Sequence, residues 1–327
     1  MCDACSPGIY NTPNQLPWKT WSTANHINIP LYSTHDLDLP LQYNIESVII
    51  LIHGNLRNGN DYFCAGIHSL PSLDPSKYMI VTPQFLILGD NCFENGFVKT
   101  ITMNDSCHVP FYHSEGWKDG FLNVNNFNED NLHIHSYDIL NLIVDRVGDA
   151  NYFPNAISIT IFGFSAGAQM LQRYAMMPKF YISNTYAHLK FIISDPSTFL
   201  YFDNKRPYSS NSFDTPNASW LKQEWNIDAQ TNLPWITTWD ENCNKYNDWR
   251  YGLNDLNGYA KLYFEKNSID DAIIAYAHRD IKYVIGTRDS CNCNLQANDP
   301  NCDDITGRCN DYELVTHCQG LPWGFTS

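Results

Sequence analysis

Basic residues are scarce. The 327-residue chain carries 20 Lys and Arg against 35 Asp and Glu, a formal net charge of −15 at pH 7. Holding a phosphate backbone requires clustered cations, and no Lys/Arg cluster occurs, so a nucleic-acid partner is excluded. Long apolar runs are missing as well. The longest are strand-sized, such as Val48–Ile52, and none reaches the length that spans a bilayer. The N-terminal stretch MCDACSPGIYNTPNQ has neither the basic nor the apolar region of a signal peptide. No internal repeat or low-complexity tract is present. Metal templates also fail. Cys2 and Cys5 have C-x2-C spacing without a second pair nearby. Asp299, Asn301, Asp303 and Asp304 lack the glycine an EF-hand loop needs at its sixth position. The residues call for no cofactor and no metal.

Cysteine, in contrast, is plentiful: there are 11, and Cys291, Cys293, Cys302, Cys309 and Cys318 crowd the last stretch. A disulfide-braced loop over about 291–318 is the natural reading, and it points to an oxidising compartment. The odd count leaves at least one thiol unpaired within a monomer, or a partner outside this sequence. Sequons at Asn104 and Asn217 are compatible with the same route. The expectation is therefore an extracellular or secretory-pathway protein whose export signal lies outside this sequence.

Hydrophobic residues make up 43% and aromatics 14%, enough for a full core. Ser47–His53 is a nearly continuous apolar run, as in a parallel strand buried on both faces. INIPLY and LPLQY are expected to supply earlier strands. Tyr62–Leu70 predicts a helix, Tyr78–Leu86 a strand, and Ser136–Val147 a helix with Ser136 as N-cap. Leu189–Ser194 predicts a strand, Asp270–His278 a helix and Ile281–Ile285 a further strand. Strands alternating with helices imply a mostly parallel sheet flanked by helices, in a single domain over residues 1–327. Residues 87–133 form a polar, aromatic excursion. Residues 200–258 have little periodicity and read as a lid-like insertion.

The chain is organised around Ile157–Met170, ISITIFGFSAGAQM. An alternating β-branched run leads into Gly163, Ser165 and Gly167, and a helical segment follows. This is G-x-S-x-G between strand and helix, the setting in which a serine is presented as a nucleophile. The competing reading makes Ser165 a plain helix N-cap between turn glycines. A serine hydroxyl needs a base to take its proton, and the base needs a carboxylate to steer it. Asp289, just past Ile281–Ile285 in GTRD, falls on the rim where catalytic groups gather in open α/β sheets. Asp195 is a second candidate. One oxyanion donor is expected to be the Ala166 N–H, the other the Asn55 N–H in the loop after His53-Gly54. His53 itself reads as a residue that shapes that loop. His317 alone among the histidines follows Asp289, although no strand leads into it. His113, His133 and His135 would break the Ser, Asp, His order.

In order along the chain, these pieces resemble a branch of the α/β-hydrolase superfamily, secreted-type serine hydrolases and esterases. The resemblance is carried by YSTH at 32–35, IHGNLRNGNDYF at 52–63, FPN at 153–155 and GFSAGAQ with Arg173-Tyr174-Ala175. It continues through DPSTFLYF at 195–202, Arg206-Pro207, YNDWRYGL at 246–253 and GTRDS ahead of Gln319-Gly320. It implies an α/β-hydrolase fold, Ser165 as nucleophile, Asp289 as acid and oxyanion groups at Asn55 and Ala166. It also implies a small-molecule ester as substrate. Phe164 and Ala168 stand where His and Gly are frequent. Such proteins continue beyond the Gln-Gly segment into a last strand and a histidine-bearing loop. The expectation is a member lacking that strand, with Ile281–Ile285 left as an exposed edge. Carboxylic-ester hydrolysis through an acyl-enzyme on Ser165 is the first functional reading. A silent hydrolase-like binding protein, or a fragment without the triad histidine, is the alternative.

Overall fold

A computed structural model describes residues 19–23, 27–70, 74–94, 97–103, 108–124, 133–180, 182–183, 187–196, 198–204, 206–209, 212–214, 247–285, 302–303 and 308–309. The chain divides into two compact units, residues 1–196 with 257–284, and residues 197–256 with 285–327.

The first unit is built on seven strands: β1 (Lys19–Ser22), β2 (Asn28–Ser33), β3 (Ser47–Ile52), β4 (Tyr78–Pro83), β5 (Ser158–Phe164), β6 (His188–Ser194) and β7 (Asp280–Val284). Their spatial order is β1-β2-β4-β3-β5-β6-β7. β2 runs antiparallel to β1 and β4, and every other pair is parallel. Burial follows from that order. All six residues of β4 and the Val48, Ile50, Leu51 and Ile52 positions of β3 are buried, because helices cover both sheet faces.

Register assigns the faces. Leu51 lies opposite Phe162, and Ile52 opposite Gly163. On the Leu51 face packs α1 (Gly59–Ser69), whose Phe63 and Cys64 join Leu51, Ile80 and Phe111 in one cluster. On the Gly163 face packs α3 (Ala166–Met176), a helix with every residue buried. Cys64 and Cys92 are disulfide-bonded. The remaining cysteines of the expected Cys-rich loop lie outside the described residues, apart from the backbone of a short antiparallel pair, Cys302–Asp303 with Arg308–Cys309.

α2 (Ser136–Val147) spans the expected residues. Tyr137, Ile139, Leu140, Ile143, Val144 and Val147 are its buried face, and the Gly148 N–H closes it on the Val144 carbonyl. Its N-cap is His135, not Ser136, and no side chain caps it. Ser136 is instead the first helical residue and is fully buried. Two helices precede β7, α4 (Gly258–Phe264) and α5 (Ile269–Ala277). The Ser268 hydroxyl accepts the Asp271 N–H at 3.3 Å, and Asp270 and Asp271 complement the helix N-terminus. A polar hub ties α2, α3 and α4 together. Asn141 donates to the Tyr259 phenol at 3.0 Å and accepts from the Tyr174 phenol at 3.0 Å and the Lys179 N–H at 2.9 Å.

One strand expectation is corrected. LPLQY is not a strand: Leu39, Leu41 and Tyr43 are all exposed, and Leu41 has a positive φ of 58°. The alternation marks turn residues rather than a buried face. The excursion after β4 also contains structure, including a hairpin of Asn91–Glu94 with Phe97–Thr100 and a 3-10 turn over Ser114–Asp119. β7 ends the sheet order among the described residues, with Tyr283 and Val284 exposed.

In the second unit, Arg206–Ser209 pairs antiparallel with Ser212–Asp214. A tight turn follows over 247–255, where the Tyr251 and Gly252 N–H groups both donate to the Asp248 carbonyl. Most of the 200–258 insertion lies outside the described residues.

Candidate active site

Ser165 sits at the corner between β5 and α3 with φ 55° and ψ −119°, a conformation that costs an L-residue about 1–3 kcal/mol. It occupies the N-cap position, yet its side chain makes no capping hydrogen bond. The plain N-cap reading therefore fails. The corner is set by backbone contacts. A Cβ on Gly163 would collide with the Gly167 carbonyl, and one on Gly167 with the Ile52 carbonyl, also coming within 2.6 Å of the His53 oxygen. Only glycine lets the first turn of α3 press against the ends of β5 and β3. The Ser165 N–H donates to Ser194 at 3.0 Å, and its carbonyl accepts from Gln169 at 3.0 Å.

Facing the serine is the loop after β3. The position of a Cβ on Gly54 lies 3.8 Å from Ser165 Cβ. Four side chains hold this loop. His53 is fully buried, and its Nε2 accepts the Phe85 N–H at 2.9 Å, which leaves the Nδ1 proton for the Gly54 carbonyl at 2.9 Å. Burial pushes its pKa down to about 4, so the ring is neutral at neutral pH. Trp117 and Phe85 enclose it, with ring centroids 4.9 and 5.7 Å away. Arg57 forks onto Asp90 at 2.7 and 3.0 Å and donates to the Asn55 carbonyl at 2.6 Å. Gln84 accepts the Gly59 N–H at 3.1 Å and donates to the Arg57 carbonyl at 2.6 Å. The peptide that carries the Asn55 N–H ends in the Gly54 carbonyl, which takes the His53 Nδ1 and the Arg57 N–H, and Arg57 clamps the next peptide at the Asn55 carbonyl.

The structure brings three of the sequence-predicted site residues together: Ser165 and Ala166 in one turn, and Asn55 in the loop facing them. Neither the Asn55 nor the Ala166 N–H donates to a protein acceptor among the described hydrogen bonds. Asp289 and His317 lie outside the described residues. Asp195 follows β6 directly with φ 44°, its N–H on the Val284 carbonyl at 2.9 Å, beside the Ser194 that receives the Ser165 N–H. Among the described histidines, His53 has both ring nitrogens committed to backbone. His135 faces Asp138 at 3.4 Å, and His278 the Ile274 carbonyl at 2.7 Å. His188 begins β6, at the end of the sheet opposite the serine. Arg57, Asp90 and Gln84 carried no local signal in the sequence, since the partners stand 33 and 27 positions apart.

This strand order, the glycine-lined corner and the loop opposite define an α/β-hydrolase fold. No family model matches the chain, and no curated protein matches it. Among solved structures it is similar to poly(aspartic acid) hydrolase-1 from Sphingomonas sp. KT-1, with 16% identity, 94% of this chain and 100% of that chain covered, and a TM-score of 0.37. It is also similar to LpqC, a poly(3-hydroxybutyrate) depolymerase from Bordetella parapertussis, with 14% identity, 91% and 93% covered, and a TM-score of 0.38. A third is esterase 2 of Thermogutta terrifontis, with 10% identity, 84% of each chain covered, and a TM-score of 0.33. Likeness of this degree carries no argument about activity, and the fold assignment rests on the strand order and the corner.

Proposed function

We propose that the chain is a serine hydrolase that cleaves small carboxylic esters through an acyl-enzyme on Ser165. The observation that carries this reading is a serine held at φ 55° with no capping bond, across from the Gly54 loop, with the Asn55 and Ala166 N–H groups donating to no protein acceptor among the described residues. In the reaction, Ser165 Oγ attacks the ester carbonyl and passes its proton to a base. The carbonyl π electrons move to oxygen, and the Asn55 and Ala166 N–H groups hold that oxyanion. Collapse expels the alcohol, which takes the proton. Water then repeats the sequence in reverse and frees the acid. Asp289 is the proposed acid and His317 the proposed base, with Asp195 the second candidate for the acid. The disulfide-bonded Cys64 and Cys92 support an exported protein.

The test is labelling with a fluorophosphonate probe, with Ser165→Ala beside it. Labelling is expected in the parent chain and lost in the variant, while both melt alike. Equal labelling of the two would remove Ser165 as nucleophile. A folded parent chain that takes no label would favour the alternative, a hydrolase-like protein that binds without turnover.

A further inference from the structure

Tyr62 lies in the first turns of α1, with its ring packed against the cluster that contains Leu51 and Phe63. Its phenol oxygen comes back toward the serine. The same point, a Cβ on Gly54, is 2.9 Å from Tyr62 Oη, 3.8 Å from Ser165 Cβ and 3.9 Å from the Phe164 carbonyl. Phenol and nucleophile thus both lie against Gly54. The hydrogen-bond partner of the phenol is the Gly54 backbone, which lowers its pKa by donating to the oxygen. The phenol's own proton goes to no protein acceptor among the described residues. Burial, the larger effect, raises its pKa, so it stays protonated wherever ester hydrolysis runs.

We propose that the Tyr62 O–H is a side-chain donor to the oxyanion formed on Ser165, supplementing the Asn55 and Ala166 N–H groups. The inference rests on the reading of Ser165 as nucleophile. A phenol that accepts an N–H is polarised into a better donor, and the Gly54 contact fixes its direction. The gain is larger for a full oxyanion than for a neutral carbonyl, so the bond acts on the transition state more than on substrate binding. The proton is donated as a hydrogen bond and is not transferred.

Tyr62→Phe removes one oxygen and keeps the packed ring. With p-nitrophenyl acetate, kcat is expected to fall about 10- to 100-fold with KM within about twofold. Affinity for phenylboronic acid, which forms a tetrahedral adduct on serine, is expected to fall about tenfold in parallel. A Tm matching the parent chain shows that the fold is kept. An unchanged kcat, or a rise in KM with unchanged boronate affinity, overturns the inference while leaving the nucleophile in place. Turnover that survives Ser165→Ala overturns the underlying reading and the inference with it.

Discussion

The serine corner and the loop that faces it do one job by opposite means. Contacts between backbone groups fix the corner: Gly163, Gly167 and the carbonyl groups of Ile52 and His53 leave the chain a single path. Side chains fix the loop, where His53, Arg57 and Gln84 each hold a different peptide group and Asp90 holds the Arg57 guanidinium. Steric exclusion is rigid and intolerant, since no neighbouring side chain can move to relieve it. A hydrogen-bonded brace can lose one member and keep the others. The corner is therefore expected to fail all at once, and the loop by degrees.

The largest effect should come from the corner. Gly167→Ala puts a methyl group against two carbonyl oxygens and is expected to cost more than about 4 kcal/mol, or to prevent folding. A soluble variant with the parent Tm would show that the corner is not sterically set. Acid should release the central brace of the loop. The His53 pKa is about 4 when folded, below the ordinary 6.5, so the unfolded chain binds more protons between those values. The resulting stability is present in full above pH 6.5 and is lost as pH falls through 4, about 3 kcal/mol in all. Urea midpoints at pH 7 and 4.5 should fall further for the parent chain than for His53→Gln, and parallel losses would disprove the linkage. The smallest effect belongs to Asp90→Asn. Losing the charge opposite Arg57 is expected to cost about 1–2 kcal/mol and to lower kcat without abolishing it. Unaltered kcat would mean that the clamp on Asn55 does not shape the oxyanion site.

The same contrast decides what could be read from the residues. The corner is legible because its determinants are contiguous: strand, Gly163, Ser165, Gly167 and helix follow one another. α2 is legible because its apolar residues recur at helical spacing and Gly148 ends it. The loop brace is not, because Arg57 meets Asp90 and Gln84 meets Arg57 only after β4 has paired with β3. α4 has seven residues, too few for two clear turns of periodicity, and was invisible beside the aperiodic insertion. LPLQY misled because alternation records only a pattern, and burial of one face has to come from a neighbour it does not have. His53 was expected to shape the loop, and its two backbone bonds do so. The signal was its place before Gly54 at the end of a buried strand.

The pairing of β3 with β5 sets Ser47 opposite Ser158, two segments far apart along the chain. Contacts of such long sequence separation close late, after loop entropy has been overcome. Ile52 and His53 supply the carbonyl groups against which Gly167 rests, so the serine cannot take up its strained corner before that closure. Nascent or partly folded chains thus carry an ordinary serine. On the proposed reading of Ser165 as nucleophile, reactivity would wait for the final registration of the sheet, and the barrier to folding would double as a safeguard against premature chemistry.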